Sequence, residues 1–266
     1  MKFAGIIAEY DPFHNGHAWQ LAQAKALGAE RVAVAMSCSL VQRGALPLLP
    51  EAVRTRSALT CGADLVFALP APCACAGAEA FARAGVALLA AAGCDGLVFG
   101  AETPDSALLM EAAELLDSGS YRAALKAQLA GGARSFAAAR QAAAAQLASD
   151  ERVAALLDKP NNNLAVEYCR AIRSLAPRME AYPLPRQGAN HGEALHSAHG
   201  QFASASALRR LWAESGADAV APYVPEAVFP LYQEAYAAGQ YTDFSAAGRC
   251  ELALLRSADR KSTRLN

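Results

Sequence analysis

Two histidines near the beginning of the chain, His14 and His17, are spaced to do chemistry together. They enclose Asn15 and Gly16 in the tetrapeptide HNGH, and this spacing places both imidazoles on one face at the start of a helix. Imidazole can hydrogen-bond phosphate oxygens as a neutral donor or as a cation, and a helix N-terminus adds positive potential. Gly16 has no Cβ, so a flat base could lie against its backbone. The pattern predicts an anion site that acts on phosphates by positioning and charge stabilisation, without a covalent intermediate.

The same tetrapeptide has two other interpretations: a turn that happens to hold two histidines, and two ligands of a zinc site. Zinc requires further ligands at metal-site spacing. Among the seven cysteines only Cys73 and Cys75 are close together in sequence, and a single Cys-x-Cys pair is poor evidence for a metal. We therefore predict no metal bound by this chain, and cysteines that are reduced core residues.

The segment before the histidines predicts the elements that position them. Residues 3–8, FAGIIA, form a continuous apolar run, which is typical of a strand buried on both faces of a parallel sheet. Pro12 ends strand pairing, and Asn15 with Gly16 permits a tight turn. Residues 17–25 then continue with good helix formers. A strand, a turn and a helix in this order place the histidines at the carboxyl edge of a parallel sheet, where open α/β sheets bind ligands.

Further apolar runs predict the rest of a parallel α/β sheet. Strands are predicted at residues 31–37, 63–70, 96–102 and 180–186. Residues 72–92 predict one long alanine-rich helix, with Glu79 and Arg83 paired on its polar face. Residues 105–157 have a helical pattern throughout, and their scattered basic side chains are most simply a solvated face.

Residues 8–17, AEYDPFHNGH, resemble the signature of the HIGH-type nucleotidyltransferase superfamily. More narrowly, they resemble the tRNA(Met) cytidine acetate ligase family, whose members typically read EYNPFHNGH; Asp11 replaces the usual Asn. Later segments resemble further motifs of that family in the same order: SCSLVQRG at 37–44, ADLVFALP at 63–70, GLVFGAE at 96–102, PNNNLAVEY at 160–168 and FASASALR at 202–209. Among the departures, Cys38 replaces Gly and Glu51 replaces Lys, which reverses the charge at that position.

The resemblance implies a Rossmann-like parallel-sheet domain and a set of site residues. The domain would cover about residues 1–220 with a helical insertion at about 105–157, and an incomplete helical C-terminal region would follow at 221–266. The implied ATP-binding residues are Ile7, Ala8, Glu9, Tyr10, Asp11, Pro12, Phe13, His14, Asn15, Gly16, His17, Ala18, Trp19, Gln20, Gly100, Asn161 and Arg186. The implied catalytic residues are His14, His17, Ser204, Ser206 and Arg209, with Gln42 and Arg43 as contacts for substrate or phosphate.

The resemblance also implies a two-step reaction. Acetate attacks the α-phosphate of ATP to give acetyl-adenylate and pyrophosphate, and the N4 amine of the wobble cytidine in elongator tRNA(Met) then takes the acetyl group. ATP would be a substrate, and Mg²⁺ would suit the phosphates as a counter-ion although no carboxylate cluster marks a site for it. The alternatives are a small-molecule adenylyltransferase of cofactor biosynthesis, and a non-catalytic nucleotide or RNA binder.

Composition and net charge limit which partners and which cellular compartment this chemistry can have. A formal net charge of −1 over 266 residues gives no global attraction to nucleic acid, so RNA contacts must come from a local patch. No signal peptide is recognisable, and the longest apolar stretch is far shorter than the roughly 20 residues of a membrane span. We expect a cytoplasmic enzyme without membrane contact. Residues 257–266 lack apolar periodicity, and we expect a shortened copy of a longer reading frame.

Overall fold

Five parallel strands form the centre of the fold in a computed structural model that describes residues 1–186 and 202–250. The strands are β1 (Phe3–Ala8), β2 (Arg31–Ser37), β3 (Leu65–Leu69), β4 (Gly96–Ala101) and β5 (Glu180–Pro185). Their spatial order is β3-β2-β1-β4-β5, and every neighbouring pair is parallel. The predicted Rossmann-like α/β class is therefore confirmed, and the bounds predicted for β1 and β2 are those observed.

Helices connect the strands and cover the sheet. They are α1 (Asn15–Ala26), α2 (Glu51–Thr60), α3 (Ala71–Ala74), α4 (Ala78–Ala91), α5 (Ser106–Asp117), α6 (Gly119–Ala130), α7 (Phe136–Leu147), α8 (Glu151–Leu156), α9 (Pro160–Leu175), α10 (Ala205–Ser215) and α11 (Phe229–Ala237), with short 3-10 segments at Gln42–Gly44 and Ala217–Tyr223. Within the two described ranges, no helix has the length and apolar character needed to cross a membrane. The proposed division of the chain at residue 220 stays a prediction, and residues 251–266 of its C-terminal part lie outside the described residues.

The strand order creates a crevice at the carboxyl end of the sheet. β1 lies at its centre, with Gly5 opposite Ala33 of β2 on one side and Leu97 of β4 on the other. The chain builds outward from β1 to β3 and then crosses to the opposite side of β1 for β4. Open α/β sheets bind ligands at such a change of direction, outside the carboxyl ends of the two strands that flank it.

Apolar side chains cover both faces of the sheet. On one face Val86 and Leu89 of α4 pack with Leu97 of the sheet, in a layer completed by α5 and α9. On the other face Ile6 packs with Leu21 of α1, in a layer completed by α2, α10 and α11. Burial from both sides explains why the strands read as unbroken apolar runs instead of alternating patterns.

Two predictions about helices are wrong in detail. The helix predicted over 72–92 is interrupted between α3 and α4, where Gly77 caps the second helix. Glu79 and Arg83 do not pair with each other: Glu79 lies 3.6 Å from Arg170 of α9, and Arg83 Nη1 donates to Ser174 Oγ at 3.1 Å. Both side chains turn toward α9 because α4 packs along it, a tertiary contact that local spacing does not reveal.

The carboxyl ends of β1 and β2 are joined by a buried arginine of α2. Arg54 has no solvent exposure, and it donates through Nε to Leu49 O at 2.9 Å. Its Nη1 donates to Glu9 O at 2.7 Å and to Ser37 O at 2.6 Å, and its Nη2 donates to the carbonyl of Cys38. One guanidinium therefore satisfies four backbone carbonyls, three of them at the carboxyl ends of the two strands.

Gly85 sets how closely α4 can approach β1. A Cβ added at this position would lie 2.5 Å from Ile7 Cδ1, which is too close for the contact to persist without movement. We expect Gly85→Ala to lower the free energy of unfolding by about 1–3 kcal/mol, measured by urea denaturation, because overpacking displaces the helix. Gly119→Ala is the control, since the space at the first residue of α6 is open, and it should be neutral or stabilising. Equal losses for both variants would contradict this account.

Candidate functional site

A cavity of about 310 Å³ opens at the carboxyl ends of β1, β4 and β5. Most of the predicted site residues line it: Ile7, Ala8, Glu9, Tyr10, Asp11, His14, Gly16, His17, Trp19, Gln20, Gln42, Gly100, Asn161, Arg186 and Ser204. The other predicted residues do not line it: Pro12, Phe13, Asn15, Ala18, Ser206 and Arg209. The side chain of Arg43 lies outside the described part of the chain.

The two histidines form the beginning of α1 with their own side chains. His14 is the N-cap, and its Nδ1 accepts a hydrogen bond from Gly16 N at 3.1 Å. His17 makes the reciprocal contact, because its Nδ1 accepts a hydrogen bond from His14 N at 3.3 Å. This reciprocal pair is a capping box made of imidazoles. The helix therefore begins at Asn15, two residues earlier than predicted, and Asn15 and Gly16 belong to its first turn.

The capping box also fixes where the protons of the imidazoles lie. A neutral imidazole carries one N–H, and a nitrogen that accepts a hydrogen bond cannot be the one that carries it. Both Nδ1 atoms accept, so Nε2 carries the proton in His14 and in His17. The two rings stack with centroids 3.8 Å apart. The pair thus offers two neutral N–H donors at a helix N-terminus, in a wall of the cavity.

Burial keeps both imidazoles neutral. Together with the positive charge of Arg186, which contributes less, it lowers the pKa of His14 from its ordinary 6.5 to about 3. Burial also lowers the pKa of His17 well below its ordinary value, with His14 and Arg186 as additional causes. Of the two binding modes open to these histidines, the geometry supports neutral donation and not a cationic pair.

These shifts predict how stability depends on pH. Between pH 6.5 and about 3 the unfolded chain binds protons on both histidines, whereas folded His14 stays neutral down to about 3. The free energy of unfolding should therefore fall as the pH drops through this window, by up to about 1.4 kcal/mol per pH unit for each histidine. Chemical denaturation at a series of pH values measures the slope.

The matched control carries His14→Asn together with His17→Gln, which keep capping oxygens and cannot be protonated in this range. Burial raises the pKa of Glu9 and of Asp11, so these carboxyls contribute a slope of opposite sign in both proteins. The difference between the two pH profiles isolates the histidines. Parallel profiles would contradict the neutral assignment.

Gly16 has a structural role in addition to the one predicted. A Cβ at this position would lie 2.9 Å from His14 Cε1 and 3.1 Å from His14 Nδ1. The missing side chain therefore makes room for the capping imidazole, in addition to leaving the backbone open to the cavity.

The loop between β1 and α1 is held from three distant parts of the chain. Asp11 Oδ1 accepts from Leu48 N at 2.6 Å, and Arg209 Nη1 donates to Asp11 O at 2.5 Å and lies 3.1 Å from Asp11 Oδ2. The hydroxyl of Tyr232 donates to Phe13 O at 2.7 Å. Arg209 is thus occupied by Asp11 at the back of the loop, and its predicted contact with pyrophosphate stays a prediction.

Two further polar groups line the cavity from neighbouring loops. Glu9 Oε1 accepts from Gln42 N at 2.6 Å, which joins the loop after β2 to the end of β1. Ser204 caps α10, with its Oγ accepting from Ala207 N at 3.3 Å and 3.2 Å from Ser206 Oγ. Ser204 lines the cavity, whereas Ser206 does not.

A further part of the cavity wall is built by β4, β5 and α9. Gly100 and Arg186 come from the adjacent ends of β4 and β5, where a Cβ at 100 would lie 3.5 Å from Arg186 Cγ. Asn161 lies in the first turn of α9. These three residues lie far apart in the sequence, and the parallel sheet brings them to one edge.

Sequence reasoning missed the apolar wall of the cavity. It consists of Phe81, Phe99, Leu164, Tyr168, Leu184, Pro185 and Ala205. Phe99 and Leu184 lie near the carboxyl ends of predicted strands, which is a signal that could have been used. Phe81 and Tyr168 lie on helices whose rotation about their axes only the packed structure shows.

The zinc interpretation of the two histidines finds no support in the described ranges. Residues 1–186 and 202–250 contain no group of three or more His, Cys, Asp or Glu side chains that could hold a metal ion. The Nδ1 atoms of His14 and His17 are already engaged by backbone N–H groups. Cys73 and Cys75 are free cysteines.

Curated relatives are similar in sequence to this chain over part of their own length. The chain is 41% identical over 213 residues to a tRNA(Met) cytidine acetate ligase of Syntrophotalea carbinolica, covering 79% of this chain and 50% of the relative. It is 34% identical over 244 residues to a protein of the same name from Caldanaerobacter subterraneus, covering 90% and 60%. The chain thus spans about half to three fifths of the length of these relatives.

Solved structures from Thermotoga maritima share the fold. A crystal structure of TmcAL bound with alpha-thio ATP matches with a TM-score of 0.81 and 30% identity, covering 91% of this chain and 57% of that one. The apo form matches with a TM-score of 0.84 and 31% identity, covering 91% and 58%.

A family model described as HIGH Nucleotidyl Transferase matches residues 1–263. It spans the strand, the imidazole-capped helix and the cavity between them. The chain belongs to the HIGH nucleotidyl transferase family.

Proposed function

We propose that this chain binds ATP in the cavity, activates acetate as acetyl-adenylate with release of pyrophosphate, and acetylates N4 of the wobble cytidine of elongator tRNA(Met). The observation that carries the proposal is the pair of neutral Nε2–H donors at the start of α1, in the crevice between β1 and β4. The names of the relatives and the ATP analogue in the Thermotoga structure support the same chemistry. These substrates imply a reaction in the cytoplasm.

In the first step an acetate oxygen attacks the α-phosphorus, and the bond from that phosphorus to the bridging oxygen of pyrophosphate breaks. Negative charge develops on the leaving pyrophosphate. His14 and His17 donate to its oxygens as neutral groups, and the hydroxyl of Ser204, which also lines the cavity, is a further donor. Donors that are already fixed by packing need no reorganisation as the charge develops, which is the main source of such stabilisation.

In the second step the cytidine amine attacks the carbonyl carbon of the mixed anhydride, AMP leaves, and the amine loses a proton. Glu9 is a candidate acceptor for that proton because burial raises its pKa. The negligible net charge of the chain leaves RNA contacts to local patches.

Mg²⁺ would accompany ATP through its phosphate oxygens and water. The described carboxylates do not form a cage for it, since Glu9 is bonded to Gln42 and Asp11 to Leu48 and Arg209. No step of the mechanism is therefore assigned to a protein-held metal.

A second candidate, nucleotide binding without catalysis, is favoured by one contact. Arg209, the arginine expected to stabilise pyrophosphate, is paired with Asp11. The charge reversal at Glu51 argues less strongly for this candidate, because that exposed residue begins α2 and is not among those that line the cavity.

The test measures pyrophosphate release from ATP with and without acetate, and transfer of labelled acetyl to a tRNA(Met) transcript. The control transcript carries uridine at the wobble position and cannot accept the group at N4. Acetate-dependent release with label on the cytidine transcript alone supports the ligase. Release that requires a phosphorylated cofactor precursor instead of acetate would indicate the small-molecule adenylyltransferase, and ATP binding without any release would indicate the binder.

A further inference from the structure

A carboxylate behind the cavity, Glu102, holds the beginning of α9. Its Oε1 accepts from Asn161 N at 3.2 Å and from Asn161 Nδ2 at 2.6 Å, and its Oε2 accepts from Asn162 N at 2.7 Å. Asn161 lines the cavity, whereas Glu102 does not. Glu102 therefore reaches the cavity through the side chain of Asn161.

This contact decides which atom of Asn161 faces a ligand. A carboxylate has only acceptors, so the amide nitrogen of Asn161 must be the atom that faces Glu102. The amide oxygen is then turned away, and among the described residues it has no hydrogen-bond partner. The neighbouring Asn162 has no such freedom, because its Oδ1 accepts from Thr103 N at 2.9 Å and its Nδ2 donates to Thr103 Oγ1 at 3.1 Å.

The contact between Glu102 and the start of α9 also determines which end of a bound nucleotide lies near Asn161. Glu102 occupies the first N–H groups of α9 and places a negative charge at the positive end of that helix. A phosphate group is repelled there and is attracted to the start of α1, where the histidines donate. The nucleoside part is then the part that meets Asn161.

We propose that Glu102 is a positioning residue that turns the Asn161 carbonyl oxygen into the cavity, so that the site selects nucleosides presenting a hydrogen-bond donor at that point. The inference rests on the proposed function, in which the ligand is ATP. Two parts of ATP carry such donors: the exocyclic amine of adenine and the ribose hydroxyls. The ionised triphosphate has none.

The test is equilibrium binding of four nucleotides to the wild-type chain and to Glu102→Gln. The nucleotides are ATP, purine riboside triphosphate, which lacks the amine, and the 2′-deoxy and 3′-deoxy forms of ATP. Wild type is expected to bind one of the three analogues about tenfold more weakly than ATP, and the identity of that analogue names the donor.

In Glu102→Gln an amide nitrogen replaces one acceptor oxygen. Either atom of the new amide can face Asn161, so the Asn161 amide is no longer held in one orientation and can present a donor to the cavity. The tenfold preference for ATP over the analogue should fall to about one. Adding Asn161→Asp to Glu102→Gln returns an acceptor oxygen to the cavity, so the preference should reappear even if every nucleotide binds more weakly.

Thr103→Val is the matched control. It removes the acceptor of Asn162 at the same helix start and leaves the contact between Glu102 and Asn161 intact. It should lower the melting temperature and leave the ratio of affinities unchanged. If Glu102→Gln weakens all four nucleotides by the same factor, Glu102 is a helix cap and the proposal is overturned.

Binding is measured without acetate or tRNA, which keeps this inference separate from the proposed function. Equal affinity of wild type for all four nucleotides would overturn the inference and leave the ligase proposal intact. Selective nucleotide binding that responds to Glu102→Gln, in a chain that releases no pyrophosphate with acetate, would support the inference and refute the ligase.

Discussion

His17→Ala is expected to lower acetate-dependent pyrophosphate release by about 10²–10³-fold, the usual cost of removing one preorganised donor to developing negative charge. The imidazole of His17 is held by its bond from His14 N and by stacking on the His14 ring, so its Nε2–H is fixed in place before the charge develops. Single-turnover measurement of the first step at saturating ATP reports this loss without interference from the RNA step.

His17 also supports the helix, and two further variants separate that role from donation. His17→Gln keeps an oxygen that accepts from His14 N and an amide nitrogen that can donate to the cavity. His17→Glu keeps the accepting oxygen and offers no donor. We expect both to retain the melting temperature better than His17→Ala, and only the Gln variant to recover part of the rate. Equal activity of the Gln and Glu variants would show that capping, and not donation, is what His17 contributes.

Arg54→Met is expected to lower the free energy of unfolding by about 3–5 kcal/mol, which is a large part of the stability of a typical domain. Methionine fills much of the same space, but the carbonyls of Glu9, Ser37, Cys38 and Leu49 then lose their common donor inside the protein. Buried acceptors without partners carry the full cost of their desolvation. Urea denaturation followed by circular dichroism measures the change.

Arg56→Met is the control for this loss, because it removes an arginine from the same helix at a largely exposed position. Arg56 lies 3.8 Å from Glu234, and an exposed ion pair of this kind contributes at most about 1 kcal/mol. Arg54→Lys should fall between the two, since one ammonium cannot reach all four carbonyls. A small effect of Arg54→Met would mean that water replaces the guanidinium.

The sequence predicted the sheet more completely than it predicted the cavity. Strands buried on both faces leave a continuous apolar run, so Phe3–Ala8 and Arg31–Ser37 could be delimited from composition alone. The break at Gly77 could not be predicted in this way, because the alanine-rich sequence favours a helix on both sides of it. The start of α1 was misplaced because imidazoles are unusual caps, and the preference tables for N-caps favour Ser, Thr, Asp and Asn.

Side-chain direction was the main obstacle at the site. The motif residues at positions 14, 17, 161 and 204 line the cavity, and their roles there stay predictions. Arg209 does not, because Asp11 supplies both a carboxylate and a carbonyl within its reach. Glu102 received no role from its motif, since a residue that acts through a neighbour leaves no spacing pattern of its own.

The three contacts that hold the loop before α1, from Leu48, Arg209 and Tyr232, have a consequence for biosynthesis. The loop leaves the ribosome early, but its partners Arg209 and Tyr232 follow Asp11 and Phe13 by 198 and 219 positions. At ordinary elongation rates this delay is roughly 10–40 s. The nascent chain therefore completes its five strands while the loop before α1 still lacks two of its three anchors. Nucleotide capture by ribosome-bound chains should begin with the emergence of α11, and not with completion of the sheet.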